Sequence, residues 1–282
     1  MDLPSYYSNI KPSLELLKER LKQIDRAKLK QIVNQKAAVK GIDSNFIKDA
    51  TEFLRLSILN LMAYKLLMSG FFLAWGKVTL YYSNFYAINC LLRLKGFALV
   101  HIYYVEEKPL TVKVVRQKDK NEYILSHWKG GNTHQYLWNK FCEYYPDLFT
   151  QQLAKFTIDE RERWNYDLSL PSRSMDPNVL QDARTRWENN FIDPNYGKCS
   201  TAEAAEYYHD LMADTGYEEA GSWDLIRECT KNLKQIALSS KYKNWYTAFL
   251  EEVRSGITDF GSSPEMKREI QKYLSETIKD IK

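Results

Sequence analysis

The hydrophobic pattern of the first hundred residues predicts three helical segments. Over residues 13–41, apolar positions recur at spacings of three and four, as in a single long amphipathic helix that ends at Gly41. Residues 45–69 and 77–95 are apolar on most sides, and Gly96 follows the second of these segments as a C-terminal cap. Helices that are apolar on most sides belong in the middle of a bundle, so the pattern predicts the core of a helical bundle.

The pattern changes from helical to strand spacing at residue 97. Residues 97–105 and 110–117 are rich in β-branched and aromatic side chains, and residues 106–109 read as the turn between them. Val112 and Val114 alternate with polar Lys113, as on a half-buried strand. Residues 122–128 supply a third strand, so the sequence predicts a small antiparallel β insertion at about 97–128.

Helical patterns return after the insertion and continue to the end of the chain. The predicted fold is therefore mainly α, a helical bundle with a small antiparallel β insertion. We expect one helical domain over residues 1–170, including the insertion, and an irregular segment with a C-terminal helical extension over 171–282. The later predicted helices cover 133–145, 146 to about 166, 179–190, 200–213, 222–239, 243–255 and 264–281.

Composition excludes several classes of protein. Apolar residues make up 44% of the 282 positions and charged residues 27%, which excludes wholesale disorder. No uncharged apolar run is long enough to span a membrane, and the opening residues MDLPSYYSNI resemble no secretion signal. The 4 cysteines are widely spaced and form no CxxC pair, which is typical of reduced cytoplasmic thiols. We therefore expect a cytoplasmic protein without membrane contact.

Charge is unevenly distributed along the chain, although the net charge is only +4. Residues 13–40 contain eight Lys or Arg, and residues 108–120 contain five. Residues 200–230 instead contain eight carboxylates, with Arg227 as their sole Lys or Arg. Such runs are typical of solvated surfaces, but the first half of the chain can also form a face that attracts phosphate.

The strong sequence motifs of known enzymes are absent. The chain has no glycine-rich phosphate loop, no HExxH and no GxSxG. Its 4 histidines are His101, His127, His134 and His209, and none of their spacings is typical of metal ligands. We therefore predict no metal and no cofactor, and a structural role for each histidine.

A polar stripe interrupts the apolar helix predicted at 77–95. Its members, spaced by three and four residues, are Thr79, Tyr82, Tyr86, Asn89 and Arg93. Buried polar groups need partners, so the stripe either lines a cleft or packs with its tyrosine hydroxyls reaching solvent.

A second polar group occurs at residues 159–167. Arg161 and Tyr166 are separated by four residues, with Asn165 between them. On a helix this spacing places the guanidinium and the phenol in one broad sector, where both can contact a phosphate. The alternative interpretation is an ordinary charged helix end.

The segment 66–96 reads LLMSGFFLAWGKVTLYYSNFYAINCLLRLKG, with a Tyr-Tyr-x-x-Phe-Tyr-Ala core and a terminal Leu-Leu-x-x-x-Gly. This segment resembles the second-helix signature of HEPN domains. HEPN domains are helical bundles of prokaryotic toxins, antiviral systems and CRISPR-associated ribonucleases. Many dimerise, so that two copies of an Arg-x4–6-His motif form one RNA-cleaving site. The resemblance implies this architecture for residues 1–170, a homodimer, and RNA as the ligand.

The resemblance also assigns roles to the second polar group. Arg161 matches the arginine of the HEPN motif, whereas Tyr166 stands where the histidine would be. The pairing of Arg93 with His101 is a less regular alternative, because it crosses Gly96 into a predicted strand. Tyrosine has a pKa near 10 and is a poor base at neutral pH, unlike histidine. The implied site is therefore a weakened one.

The sequence leaves alternative functions open. We expect a HEPN-like protein of a prokaryotic antiviral or toxin system that acts on RNA, as a metal-independent ribonuclease with a weakened site. One alternative is a non-catalytic helical interaction or dimerisation module that binds a partner protein of the same system. Another is a small-molecule enzyme with an aromatic pocket. The expected catalytic residues are Arg161, Asn165 and Tyr166, supported by Tyr82, Tyr86, Asn89 and Arg93.

Overall fold

A computed structural model describes residues 16–69, 73–104, 108–117, 120, 122–146 and 221–236. These residues are mainly helical and include one four-stranded antiparallel sheet, which confirms the fold class in its coarse form. The arrangement of the helices as a bundle stays a prediction. The elements are α1 (Leu16–Lys22), α2 (Arg26–Asn34), β1 (Ala38–Lys40), α3 (Asp43–Ser69), α4 (Leu73–Leu94), β2 (Phe97–Ile102), β3 (Leu110–Arg116), β4 (Glu122–His127), α5 (Thr133–Tyr144) and α6 (221–236).

The chain divides into two compact units. The first, here called the α/β unit, comprises Met1–Leu54 and Ile88–Tyr145, and the second, the helical unit, comprises Arg55–Ala87 and Pro146–Lys282. Helices α3 and α4 contribute residues to both units. The domain boundary predicted near residue 170 lies outside the described residues.

The sheet of the α/β unit has the strand order β1-β4-β3-β2. Its three longer strands form the predicted antiparallel meander, with Val100 opposite Val112 and Val114 opposite Leu125. The edge strand β1 was not predicted, and it pairs with β4 through Val39 opposite Tyr123. A three-residue strand is too short to show an alternating pattern of its own, so its position depends on the partner strand.

The prediction of one helix over residues 13–41 is wrong, because the described part of this segment contains two helices and β1. Helix α1 ends at Lys22, and α2 begins again at Arg26. Asp25 caps α2, since its carboxylate accepts a hydrogen bond from the backbone N–H of Lys28 at 3.1 Å. An Asp side chain that satisfies an otherwise unpaired N–H stabilises a helix start, which explains the break.

Helices α1 and α2 bury their apolar sides against one face of the sheet. Leu17 and Leu21 of α1 and Leu29 and Val33 of α2 are almost completely buried in this core. Burial of one side leaves the opposite side of each short helix to solvent. The sheet contributes Ala98, Val100, Ile102, Leu110, Val112, Val114, Tyr123 and Leu125 to the same core.

Glycine joins α4 to the sheet, as the sequence predicts for Gly96. This residue has a φ of +76°, in the left-handed region that favours glycine, and its N–H donates to the carbonyl oxygen of Arg93 at 2.8 Å. Its own carbonyl accepts the N–H of Arg116 at 2.9 Å. Helix α4 therefore ends beside β3, and the next strand along the chain, β2, pairs with β3.

The described part of the helical unit consists of the second half of α3, most of α4, and α6. The hydroxyl of Ser83 in α4 donates to the carbonyl oxygen of Ser57 in α3 at 2.8 Å. The thiol of Cys229 in α6 donates to the carbonyl oxygen of Ala87 at 3.3 Å. The helix predicted at 222–239 is thus confirmed over 222–236, whereas the helices predicted between residues 146 and 213 and after 243 lie outside the described residues, apart from Pro146 itself.

No helix in the described ranges combines the length and apolar character needed to cross a membrane.

Candidate functional site

The three residues predicted to be catalytic are not described by the structure. Arg161, Asn165 and Tyr166 all lie within 147–220, outside the described residues. Their grouping around a phosphate stays a prediction. The four supporting residues predicted on α4 are described, and they fall into two pairs with different surroundings.

Tyr82 and Tyr86 form the first pair, and both side chains are half-buried in the helical unit. Their ring centroids are 6.2 Å apart, and the ring of Tyr81 lies edge-on to Tyr82 at 5.3 Å. Burial raises the pKa of Tyr86, and the neighbouring Tyr82 raises it further. Tyr86 is therefore protonated at neutral pH, where it can donate a hydrogen bond but cannot act as a base.

Asn89 and Arg93 form the second pair, and both are buried in the α/β unit. The Nη1 atom of Arg93 donates to the carbonyl oxygen of Phe97 at 3.1 Å. Its Nε atom lies 3.8 Å from Oδ2 of Asp49, a contact between opposite charges that are both almost completely buried. Burial lowers the pKa of Arg93 to about 10, against the opposing effect of Asp49, so the guanidinium is charged at neutral pH.

Aromatic rings complete the surroundings of Arg93. Its Cζ atom is 5.2 Å from the ring centroid of Phe53 and 6.0 Å from that of Phe46, both on α3. The guanidinium therefore ties α4 to α3 and to the start of β2 through charge, hydrogen bonding and cation–π contact. Sequence reasoning missed Asp49, although a carboxylate within a largely apolar helix is a signal of a buried ion pair.

Arg93 and His101, the alternative pair for a HEPN motif, have separate partners. The Nδ1 atom of His101 lies 2.8 Å from Oγ1 of Thr111, the residue opposite it on β3. This hydrogen bond across the sheet gives His101 the structural role that the sequence predicts.

The α/β unit carries a large excess of positive charge. Its described residues include 17 Lys and Arg and 7 Asp and Glu, an excess of ten charges, whereas the whole chain has a net charge of only +4. The two basic runs in the sequence, at 13–40 and 108–120, both fall in this unit. Folding therefore gathers the two runs in one compact body.

The exposed side of α1, α2 and β1 carries much of this charge. We call this surface the basic helical face, and the only carboxylates exposed on the same elements and the turn between them are those of Glu19 and Asp25. The opposite sides of both helices are held in the core, so these cations cannot turn inward. The basic helical face consists of six exposed cations, namely Arg20, Lys22, Lys28 and Lys30 on the helices, Lys36 in the turn before β1, and Lys40 on β1. The Nζ atom of Lys40 also pairs with Oε1 of Glu122 at 3.0 Å.

Two tyrosines directly after β2 lie beside this face. Tyr103 has 59% of its surface exposed, and the Nζ atom of Lys18 lies 5.3 Å from its ring centroid. The Cζ atom of Arg26 lies 5.1 Å from the ring centroid of Tyr104. The Nη2 atom of Arg26 also donates to the carbonyl oxygen of Lys108 at 3.1 Å, at the entry to β3. The structure thus brings α1, α2 and the β2–β3 connection together.

Sequence reasoning did not single out these tyrosines. The available signal was a pair of aromatic residues at the end of a strand, in a chain whose first helices are basic. Their proximity to Lys18 and Arg26 depends on how the helices pack on the sheet, and the hydrophobic pattern of either segment alone does not contain that information.

Among the described residues, no group of three or more His, Cys, Asp or Glu side chains is placed to hold a metal ion. Comparisons with protein-family models, with curated proteins and with solved structures give no match to this chain.

Proposed function

We propose that this chain is a HEPN-like protein that acts on RNA in a prokaryotic antiviral or toxin system. The observation that supports the proposal is the basic helical face of the α/β unit. Five exposed cations on α1, α2 and β1, together with Lys36 in the turn before β1, form a surface on which a polyanion gains favourable contacts with several phosphates at once. The proposal includes a cytoplasmic location and a homodimer, in which two copies of the Arg161 motif meet.

The proposed chemistry is metal-independent cleavage in which the RNA 2′-hydroxyl attacks the adjacent phosphate. Such a step needs a base for the hydroxyl proton, an acid for the leaving 5′-oxygen, and a cation for the charge that develops on phosphorus. Arg161 supplies the cation, and Asn165 supplies a hydrogen-bond donor to the phosphate. Tyr166 in place of histidine transfers protons poorly at neutral pH, so cleavage is slow.

We predict that purified protein cleaves mixed single-stranded and structured RNA in EDTA, and that Arg161→Ala lowers the rate by about 100-fold or more. A loss of this size is typical when a group that stabilises transition-state charge is removed. Tyr166→His should raise the rate by about 100-fold, because it restores a general acid–base group with a pKa near neutrality. Rates are measured from the appearance of labelled fragments.

The matched control is Arg227→Ala, which removes an exposed arginine whose Nη1 pairs with Asp224 at 2.7 Å on α6. Its rate should equal that of the wild type. Equal rates for the wild type and Arg161→Ala would reject Arg161 as a catalytic residue. If neither the wild type nor Tyr166→His cleaves RNA, the proposed ribonuclease activity is rejected. RNA binding without cleavage then remains as the function.

A further inference from the structure

We infer that the Tyr103–Tyr104 pair and the cations beside it form a binding site for single-stranded RNA, separate in sequence from the predicted Arg161 motif. We call this group of Lys18, Arg26, Tyr103 and Tyr104 the tyrosine platform. The inference rests on the proposed action on RNA and names the protein surface that binds the RNA strand.

The exposure of Tyr103 is the first observation behind this inference. Tyr103 is 59% exposed, and among the described residues only Trp75 at 68% and Tyr144 at 37% join it as exposed large hydrophobic side chains. Tyr103 follows β2 directly, and its neighbour Ile102 is fully buried in the core. The buried strand therefore fixes the backbone position of Tyr103, while its ring faces solvent.

The contacts to cations are the second observation. Lys18 from α1 and Arg26 from α2 each lie against one of the two tyrosines, at 5.3 and 5.1 Å from the ring centroids. Arg26 is held in turn by the carbonyl oxygen of Lys108. Each cation therefore lies against an aromatic ring, and both side chains carry the positive charge that attracts phosphate.

An exposed aromatic ring with a lysine against it and an arginine against the next residue matches the chemistry of a nucleotide with an unstacked base. The base stacks on the ring, and the adjacent phosphates contact the cations and the basic helical face. Bases in a duplex are already stacked on each other, so the tyrosine platform selects single strands. An acidic peptide would meet the same cations but has no planar base to cover Tyr103, which favours RNA as the occupant.

We predict that Tyr103→Ala in the full chain weakens binding of an oligouridylate of about 12 nucleotides by about 5- to 50-fold. Tyr103→Phe keeps the ring and should bind within twofold of the wild type. A strand of the same length that lacks bases should bind wild type and Tyr103→Ala equally, because only the stacking contact is removed. Affinities are measured by fluorescence anisotropy of the labelled strand.

The matched control is Trp75→Ala, which removes an exposed aromatic ring from the helical unit and should leave RNA affinity unchanged. Equal RNA affinities for the wild type and Tyr103→Ala would overturn the tyrosine platform and leave the proposed function standing. A wild type that binds no RNA would overturn both. An acidic peptide that competes with oligouridylate at equal concentration would also overturn the assignment to RNA.

A crosslinking experiment tests the platform independently of whether Tyr103→Ala folds. Irradiation of wild-type protein with a thiouridine-containing strand should label the peptide that contains Tyr103 and Tyr104, as identified by mass spectrometry. Label that is confined to other peptides would contradict the inference.

Discussion

Replacing Asp49 with alanine is expected to lower the free energy of unfolding by about 3–5 kcal/mol, because the change leaves a buried arginine without its counter-charge. Arg93 and Asp49 are 6% and 3% exposed at their side chains, so water cannot take the place of the missing carboxylate. The remaining hydrogen bond to Phe97 and the rings of Phe46 and Phe53 do not neutralise the charge. Urea denaturation of the full chain, followed by circular dichroism, measures the loss.

Two further variants separate charge from packing at this pair. The double variant Asp49→Leu with Arg93→Met removes both charges and should recover most of the lost stability, because a buried ion pair often exchanges for apolar side chains at little cost. Lys40→Gln breaks the pair between exposed Lys40 and half-buried Glu122, in which Nζ and Oε1 are 3.0 Å apart, and should cost less than about 1 kcal/mol. An Asp49→Ala loss no larger than that of Lys40→Gln would show that the pair contributes little to stability.

The second large effect is expected for Gly96→Ala, at about 2–4 kcal/mol of lost stability. The residue has a φ of +76°, where a side chain strains the backbone. A Cβ atom at this position would also overlap the Cβ of Arg116, and the flexible end of the arginine cannot relieve that overlap. The junction between α4 and the sheet must shift, and urea denaturation reports the cost.

Gly41→Ala provides a matched control for the cost of backbone strain at positive φ. Gly41 has nearly the same φ of +75°, but a Cβ there would meet no atom within 4 Å. Its replacement should cost about 1–2 kcal/mol from backbone strain alone. The difference between the two variants then measures the steric overlap at Gly96. Equal losses for both would mean that Arg116 moves away without cost.

Local patterns predicted much of the described fold. Alternation at Val112, Lys113 and Val114 identified β3, and the glycine at 96 marked the end of α4. Both features depend only on neighbouring residues, since strand alternation and a left-handed cap are short-range signals. The break at Asp25 was missed because leucines continue at helical spacing on both sides of it, although Asp is a common N-cap residue.

The hydrophobic pattern of the sequence could not predict contacts between distant segments. Asp49 and Arg93 belong to different helices, and nothing in either helix alone identifies the other as its partner. The tyrosine platform likewise forms when α1 and α2 cover the sheet. The sequence indicated that the groups of the polar stripe need partners, and for Arg93 these partners are an aspartate, a carbonyl and two aromatic rings. The support of an RNA site by Tyr82, Tyr86, Asn89 and Arg93 stays a prediction.

Action on RNA predicts a steep salt dependence of RNA binding. The logarithm of the association constant for single-stranded RNA should fall linearly with the logarithm of salt concentration, with a slope of about −3 to −4 if four to six phosphates are contacted. Replacing Lys22, Lys28 and Lys30 with glutamine should make the slope shallower by about 2. Undetectable binding, or a slope near zero, would rule out action on RNA and favour a non-catalytic module that binds a partner protein.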